Sequence, residues 1–172
     1  MKITLLGSVL FLSAGLCACS SNTNSVVKDN MLTNAMSVEG RDIYLRGEMN
    51  DYGVISAYKL TKVRDNEFCT VAPLRADWSP YRFKFADSAW TSGSNFGYAA
   101  PPGILHENGQ DVKLNPSSRF EELTFAPKED GNYRFCIVIK KDGYYSQVSK
   151  SSEGLATLSD LLFNSNNLFS KI

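Results

Sequence analysis

The segment 81–85 constrains the fold of this chain more than any other. It reads Tyr-Arg-Phe-Lys-Phe, so that aromatic residues alternate with cations. A period of two is typical of an antiparallel strand with one face buried and the other in solvent. Further short alternating runs follow from Arg41 onward, separated by turn signals such as Asp142-Gly143. This spacing predicts an all-β sandwich.

The pattern also places the individual strands. We expect strands at residues 42–48, 57–63, 67–74, 81–85, 120–125, 133–139 and 144–149, and an irregular stretch over residues 87–115. In residues 152–172, Leu155, Leu158 and Leu162 recur at i, i+3 and i+7, which would line one face of a short helix. The chain of 172 residues is therefore predicted to hold one β domain, residues 41–150, and a C-terminal tail, residues 151–172.

The first nineteen residues have the pattern of a targeting segment. Met1-Lys2 is a basic start, and the apolar run 3–16 is too short for an ordinary transmembrane helix. Leu16-Cys17-Ala18-Cys19 resembles the bacterial lipobox, which implies a signal peptide over residues 1–18 and a lipid on Cys19. Ser20, in place of aspartate, resembles lipoproteins sent to the outer membrane. An ordinary secretory signal cleaved near Ala18 is the alternative. The polar residues that follow predict a flexible tether over residues 19–40.

Two cysteines, Cys69 and Cys136, then remain for the folded domain. In an oxidising compartment they are expected to form a disulfide, because no CxxC pair or nearby histidine ligand points to a metal. If Phe68, Thr70 and Phe135 face inward, both cysteines face outward. They can then meet only as cross-strand neighbours in one sheet.

The composition excludes several classes of function. Eighteen basic and eighteen acidic residues give a formal net charge of zero, so no nucleic-acid partner is expected. With one histidine, His106, the sequence offers no zinc-hydrolase motif, and no metal or cofactor is predicted. Asp87 and Glu107 are the one pair of carboxylates that could be proposed for glycoside hydrolysis. We expect the protein not to be an enzyme.

Three motifs resemble a recurring β-sandwich module found beside pullulanases and α-amylases and in outer-membrane starch-binding lipoproteins. They are an opening RG-x-MN-x-x-G at Arg46–Gly53, a Y-x-FK-x-AD-x-x-W at Tyr81–Trp90, and a closing G-x-Y-x-F from Gly131. Tyr52 stands where that module usually has a tryptophan. The resemblance covers residues 42–149 and implies a single antiparallel immunoglobulin-like β-sandwich that binds starch or a similar glucan.

A carbohydrate site needs flat aromatic rings for the apolar face of a pyranose and polar side chains for its hydroxyl groups. The residues of these types that cluster along the chain are the predicted carbohydrate-binding residues: Trp78, Trp90, Phe96 and Tyr98, with Asn95 and Asp87 as polar partners. Packing over the open end of the sandwich is the alternative role for Trp90.

Two classes of function remain open. In the first, a lipid-anchored, non-catalytic sandwich binds an α-glucan-like polysaccharide at the outer membrane. In the second, the same sandwich is an adaptor or assembly lipoprotein for an envelope protein, and the Leu155, Leu158 and Leu162 stripe or a sheet edge carries the contact. Exposed aromatic rings in residues 78–98 would favour the first class.

Overall fold

The part of the chain described here, residues 34–152 of a computed structural model, consists mainly of short β-strands. The strands are β1 (Ser37–Val38), β2 (Arg41–Asp42), β3 (Tyr44–Gly47), β4 (Thr61–Arg64), β5 (Glu67–Leu74), β6 (Tyr81–Ala86), β7 (Asn95–Tyr98), β8 (Ile104–Leu105), β9 (Val112–Asn115), β10 (Leu123–Phe125), β11 (Gly131–Lys140) and β12 (Gly143–Ser151). Single 3₁₀ turns lie at Glu48–Asn50, Ser56–Tyr58 and Ala76–Trp78. Within residues 34–152 no helix has the length and apolar character needed to cross a membrane.

The strands form two layers that share one hydrophobic core. One layer has the order β4-β5-β11-β12-β9, and the other contains β3, β6, β10 and β8. Strand β7 pairs with β6 through Phe85 and Phe96 and with β9 through Tyr98 and Leu114, so it links the layers. The β8–β10 ladder is parallel, and the other ladders among residues 34–152 are antiparallel. The predicted all-β sandwich is confirmed, with this parallel pair as an addition.

The core is formed by the inward residues of the alternating strands. Tyr81, Phe83 and Phe85 of β6 are all buried, as the period of two predicts. The ring of Phe83 meets Phe135 of β11 edge to face, with the ring centroids 5.0 Å apart. This is a favourable aromatic geometry, and it joins the two layers directly.

The disulfide between Cys69 and Cys136 is present, as the sequence predicts. The two residues lie directly opposite each other in the antiparallel register of β5 and β11. Thr70 and Phe135 are also paired in this register, and they lie on the core side. The expected cross-strand geometry is therefore confirmed. The bridge spans a sequence separation of 67 residues, and such a loop closure stabilises a folded chain by about 4 kcal/mol in the entropy model.

The stretch 87–115 is more regular than the sequence predicts, since it contains β7, β8 and β9. These strands have two to four residues each, so they are too short to show a clear alternation. In β7, Gly97 interrupts the pattern for a tertiary reason. A Cβ atom there would lie 1.8 Å from the backbone oxygen of Glu121. The predicted strand 120–125 is correspondingly shorter, because β10 begins at Leu123.

Residues 34–40, which the sequence places in the tether, pack on the sandwich. Met36 is 2% exposed and belongs to the core cluster. Its backbone N–H donates to the Leu60 carbonyl, and β1 pairs with β2 across a turn at Glu39 and Gly40. The folded β domain thus includes residues that precede Arg41. The predicted signal peptide, Cys19 and the leucine stripe of the tail lie outside the described residues.

Candidate functional site

A groove of about 270 Å³ opens on the outer side of β6, near the end of that strand. Three segments far apart in sequence form it: the turn after β3, the β6–β7 connection, and the loop before β10. The lining residues are Tyr52, Lys84, Trp90, Asn95, Arg119, Phe120 and Glu122. We call this the Trp90 groove.

Trp90 is held in place by an arginine beneath its ring. The guanidinium carbon of Arg46 lies 3.7 Å from the ring centroid, a close cation–π contact. Arg46 also donates hydrogen bonds to the backbone oxygens of Tyr52 and Asp87, each at 2.8 Å. Burial lowers the pKa of Arg46, and the Asp87 carboxylate partly offsets this effect. The indole is half-buried, so part of it packs on Arg46 while part lines the groove.

Asp87 builds the turn that carries Trp90. Its carboxylate is 1% exposed and accepts the backbone N–H groups of Ala89 and Thr91, together with the Ser94 hydroxyl. Burial tends to raise the pKa of Asp87, but these hydrogen bonds outweigh it and hold the pKa below its usual value. Arg41 completes the shell with an ion pair at 3.1 Å. The carboxylate is therefore engaged within the protein, and almost none of its surface is exposed to a ligand.

Tyr52 forms a second wall of the groove. Its ring centroid lies 6.4 Å from that of Trp90, and the two planes are inclined at 50°. The Tyr52 hydroxyl donates a hydrogen bond to the Glu122 carboxylate. Burial raises the pKa of Tyr52, and the Glu122 carboxylate adds to this effect. The phenol is therefore neutral and fixed in orientation at physiological pH.

Lys84 and Asn95 bring polar chemistry to an otherwise aromatic groove. Lys84 is 3% exposed, and its ammonium donates to the backbone oxygens of Ser118 and Arg119 at 3.2 and 3.3 Å. Burial lowers the pKa of Lys84, although nearby carboxylates oppose the shift. An ammonium has three N–H donors, so one of them has no acceptor in the part of the chain that the structure describes.

Asn95, in contrast, has a hydrogen-bond acceptor that lacks a donor. It is 6% exposed, and its side-chain oxygen Oδ1 is buried without a hydrogen-bond partner among the described residues. Leaving a buried acceptor unsatisfied costs about 1–3 kcal/mol. The groove thus contains a spare donor on Lys84 and an unmet acceptor on Asn95.

Phe120 stands at the rim of the groove and is 87% exposed. Its loop is held by the Glu121 carboxylate, which accepts the Ser118 hydroxyl and the backbone N–H groups of Arg119 and Phe120. These hydrogen bonds, the one from Ser118 first, lower the pKa of Glu121 to about 2. The same loop lies on Gly97, where no Cβ fits. An exposed aromatic ring on such a constrained loop is well suited to contact a ligand.

The predicted carbohydrate-binding residues separate into different environments. Trp90 and Asn95 line the groove. Phe96 is fully buried and packs edge to face on Tyr144, so it offers no surface to a sugar. Tyr98 is half-buried and packs on the core and on Gly103. Trp78 lies in a different groove, described below.

Sequence reasoning missed Tyr52, Lys84, Phe120 and Glu122 as groove residues. Two of them had a signal, because Tyr52 and Lys84 lie inside the motifs that resemble the starch-binding module. The alternation in 81–85 predicts that Lys84 faces solvent, but the loop before β10 covers it. Phe120 and Glu122 had no local signal, since only the pairing of β10 with β6 brings them to the groove.

One group of potential metal ligands occurs among the described residues. Glu67, Cys69 and Cys136 place their ligand atoms within 4.8 Å of one another. The two sulfur atoms are bonded to each other in the disulfide, so they are not thiolate ligands. His106 is exposed and lies outside this group.

Comparisons with known proteins give one solved structure. The chain is similar to the ligand-induced structure of AmyP-SBD, an amylase starch-binding domain, with 17% sequence identity and a TM-score of 0.48. The match covers 86% of this chain and 96% of that chain. No protein-family model matches the sequence, and no curated protein does.

Proposed function

We propose that the domain binds an α-glucan-like polysaccharide in the Trp90 groove without cleaving it. The observation that carries this proposal is the unsatisfied Asn95 oxygen, buried in a groove walled by aromatic rings. A polar atom left unpaired in a folded protein lowers stability unless a ligand uses it. A hydroxyl group can meet this need, because it donates one hydrogen bond and accepts others.

The two polar side chains of the groove complement adjacent hydroxyl groups of one sugar ring. One hydroxyl would donate to Asn95 Oδ1, and its neighbour would accept the remaining N–H of Lys84. The apolar C–H face of the pyranose would pack on Trp90, with Tyr52 and Phe120 extending the contact. The groove is open, so a polymer can pass through it, which suits binding along a chain.

A sedimentation assay with insoluble starch and a panel of other polysaccharides tests this proposal. The full chain, purified in detergent, should sediment with an α-glucan, and Trp90→Ala should lose this binding while remaining folded by circular dichroism. Trp78→Ala is the matched control, because it removes a more exposed tryptophan from another surface. Binding to no polysaccharide, or loss of binding in Trp78→Ala but not in Trp90→Ala, would contradict the proposal.

We further propose that the protein is a lipoprotein of the bacterial outer membrane, anchored through Cys19. The lipobox-like sequence Leu16-Cys17-Ala18-Cys19 and the following Ser20 support this assignment. Two or more acyl chains bury enough methylene groups to make an anchor nearly permanent. Cys19→Ala should therefore give an unprocessed or soluble product in membrane fractionation. Wild-type fractionation of this variant would argue against the lipid anchor.

The alternative function, an adaptor for an envelope protein, makes the opposite prediction in the sedimentation assay. The protein would then bind no polysaccharide, and a partner protein would co-purify with the wild-type chain after cross-linking in cells. The Leu155, Leu158 and Leu162 stripe is the sequence feature that favours it.

A further inference from the structure

A second groove, of about 250 Å³, lies at the end of the sandwich where β6 begins. Its lining residues are Met49, Pro73, Leu74, Arg75, Trp78 and Tyr81. We call it the Trp78 groove. Trp78 is 66% exposed, which is unusual for so large an apolar side chain. The groove therefore presents apolar surface to solvent in the described part of the chain.

The polar groups around the Trp78 groove are already satisfied by one another. Arg75 donates two hydrogen bonds to the Asp77 carboxylate, at 3.0 and 2.7 Å. The Tyr81 hydroxyl donates to the backbone oxygen of Arg75 and accepts from its N–H. No buried side-chain polar atom of these lining residues lacks a partner. The chemistry that fits this groove is aliphatic, unlike that of the Trp90 groove.

Strand register places the end of β12 close to this groove. Ser151, the last residue of β12, is opposite Asn132 in β11, and Asn132 is opposite Pro73 in β5. Neighbouring strands are about 4.8 Å apart, so Ser151 lies about 10 Å from Pro73 across the sheet. The chain thus leaves the sandwich, at Ser152, beside the Trp78 groove.

The sequence beyond this point has the apolar character that the groove would accept. Leu155, Leu158 and Leu162 are spaced to share one helix face. The three residues from Ser152 to Leu155 can span about 10 Å when extended, which matches the distance to the groove. We propose that residues 155–162 dock this leucine face into the Trp78 groove of their own domain. The contact is intramolecular, so a high effective concentration favours it over a separate partner.

Trp78 itself can report on this contact. The sequence has two tryptophans, so Trp90→Phe leaves Trp78 as the single one. In that background, acrylamide quenching of the full chain, in one detergent throughout, measures the access of solvent to Trp78. Leu158→Gln with Leu162→Gln should raise the quenching constant about twofold, because the ring loses its cover. Leu168→Gln is the matched control, a leucine of the same tail outside the stripe.

Other occupants of the groove give different outcomes. Unchanged quenching in the double variant, or an equal rise in Leu168→Gln, would overturn the proposal. A quenching constant of the Trp90→Phe chain that changes with protein concentration would indicate that a second copy of the chain covers Trp78. This result would also overturn the proposal. If added starch lowers the quenching of Trp78 and the leucine substitutions do not change it, the Trp78 groove binds a sugar instead. A failure of starch binding at the Trp90 groove would leave the quenching result unaffected, so the two proposals are tested separately.

Discussion

The two tryptophan grooves of this domain differ in polar chemistry more than in aromatic surface. Each tryptophan has an arginine over its ring, Arg46 at 3.7 Å from Trp90 and Arg75 at 4.8 Å from Trp78. Arg46 is buried and bonded to the backbone of the site, whereas Arg75 is exposed and paired with Asp77. Asn95 keeps an unmet acceptor in the first groove only.

This difference gives a criterion that distinguishes a binding groove from a groove that is only exposed. Exposure alone would select Trp78, which has the more accessible ring. Unmet hydrogen-bonding capacity selects Trp90, because a buried acceptor with no partner is a cost that a ligand can remove. The predictions below test whether the two grooves behave independently and as differently as this comparison requires.

The largest loss of stability is expected from Gly97→Ala. The new Cβ would lie 1.8 Å from the Glu121 oxygen, so the Phe120 loop must move off β7. Overpacking of this kind should lower the free energy of unfolding by about 3 kcal/mol and abolish starch binding. Urea denaturation measures the change in stability. Gly131→Ala is the control, because its Cβ meets its nearest atom at an ordinary 3.4 Å. Equal destabilisation by both variants would show that the Phe120 loop does not depend on Gly97.

Replacing each arginine by alanine sharpens the comparison between the grooves. Arg46→Ala removes a buried hydrogen bond to the Asp87 oxygen, a partly buried one to the Tyr52 oxygen and the support of Trp90. It should lower the unfolding free energy by about 2 kcal/mol. Arg75→Ala removes a solvent-exposed pair and should change stability far less. Thermal unfolding of the two variants checks this order. A larger loss of stability in Arg75→Ala than in Arg46→Ala would contradict the conclusion that Arg46 is the arginine that supports the fold.

Asn95→Ala should separate binding from stability. The Oδ1 atom has no hydrogen-bond partner among the described residues, so its removal should not lower the unfolding free energy. Binding of a soluble glucan oligosaccharide should weaken about tenfold, which is about 1.4 kcal/mol. Isothermal titration calorimetry measures this change. Ser146→Ala, at the other buried side-chain oxygen without a partner in residues 34–152, should leave binding unaltered. A similar loss in both variants would contradict a specific role for Asn95.

The smallest effect is a pH dependence confined to the Phe120 loop. The pKa of Glu121 is about 2 in the folded protein and about 4.5 when unperturbed, so its contribution is fully present above pH 4.5. That contribution falls as the pH drops from 4.5 toward 2, because protonation removes the negative charge that strengthens the hydrogen bonds from Ser118, Arg119 and Phe120. Glu121→Gln should therefore lower stability at neutral pH but not near pH 2. If the stability difference between the wild-type protein and Glu121→Gln is the same at pH 2 as at pH 7, titration of Glu121 does not contribute to stability.

Several features of the fold could be predicted because their signals are local. The alternation in 81–85 and 133–139 appears as β6 and β11, and the pairing of Cys69 with Cys136 follows from the faces of β5 and β11. The signals of β7 and β9 were too short to detect. Residue type predicts Asp87 and Phe96 as sugar contacts, but both side chains are buried.

The sequence by itself determined the all-β class, the inward aromatic residues and the disulfide, because side-chain alternation on a strand is a property of neighbouring residues. Tertiary structure alone decided which aromatic rings and polar groups meet in one groove. Lys84, Asn95 and Phe120 come together through β6–β7 and β6–β10 pairing, and these contacts join segments far apart in the chain. Whether a polar atom is buried and unpaired depends on everything packed around it, and no local pattern records that.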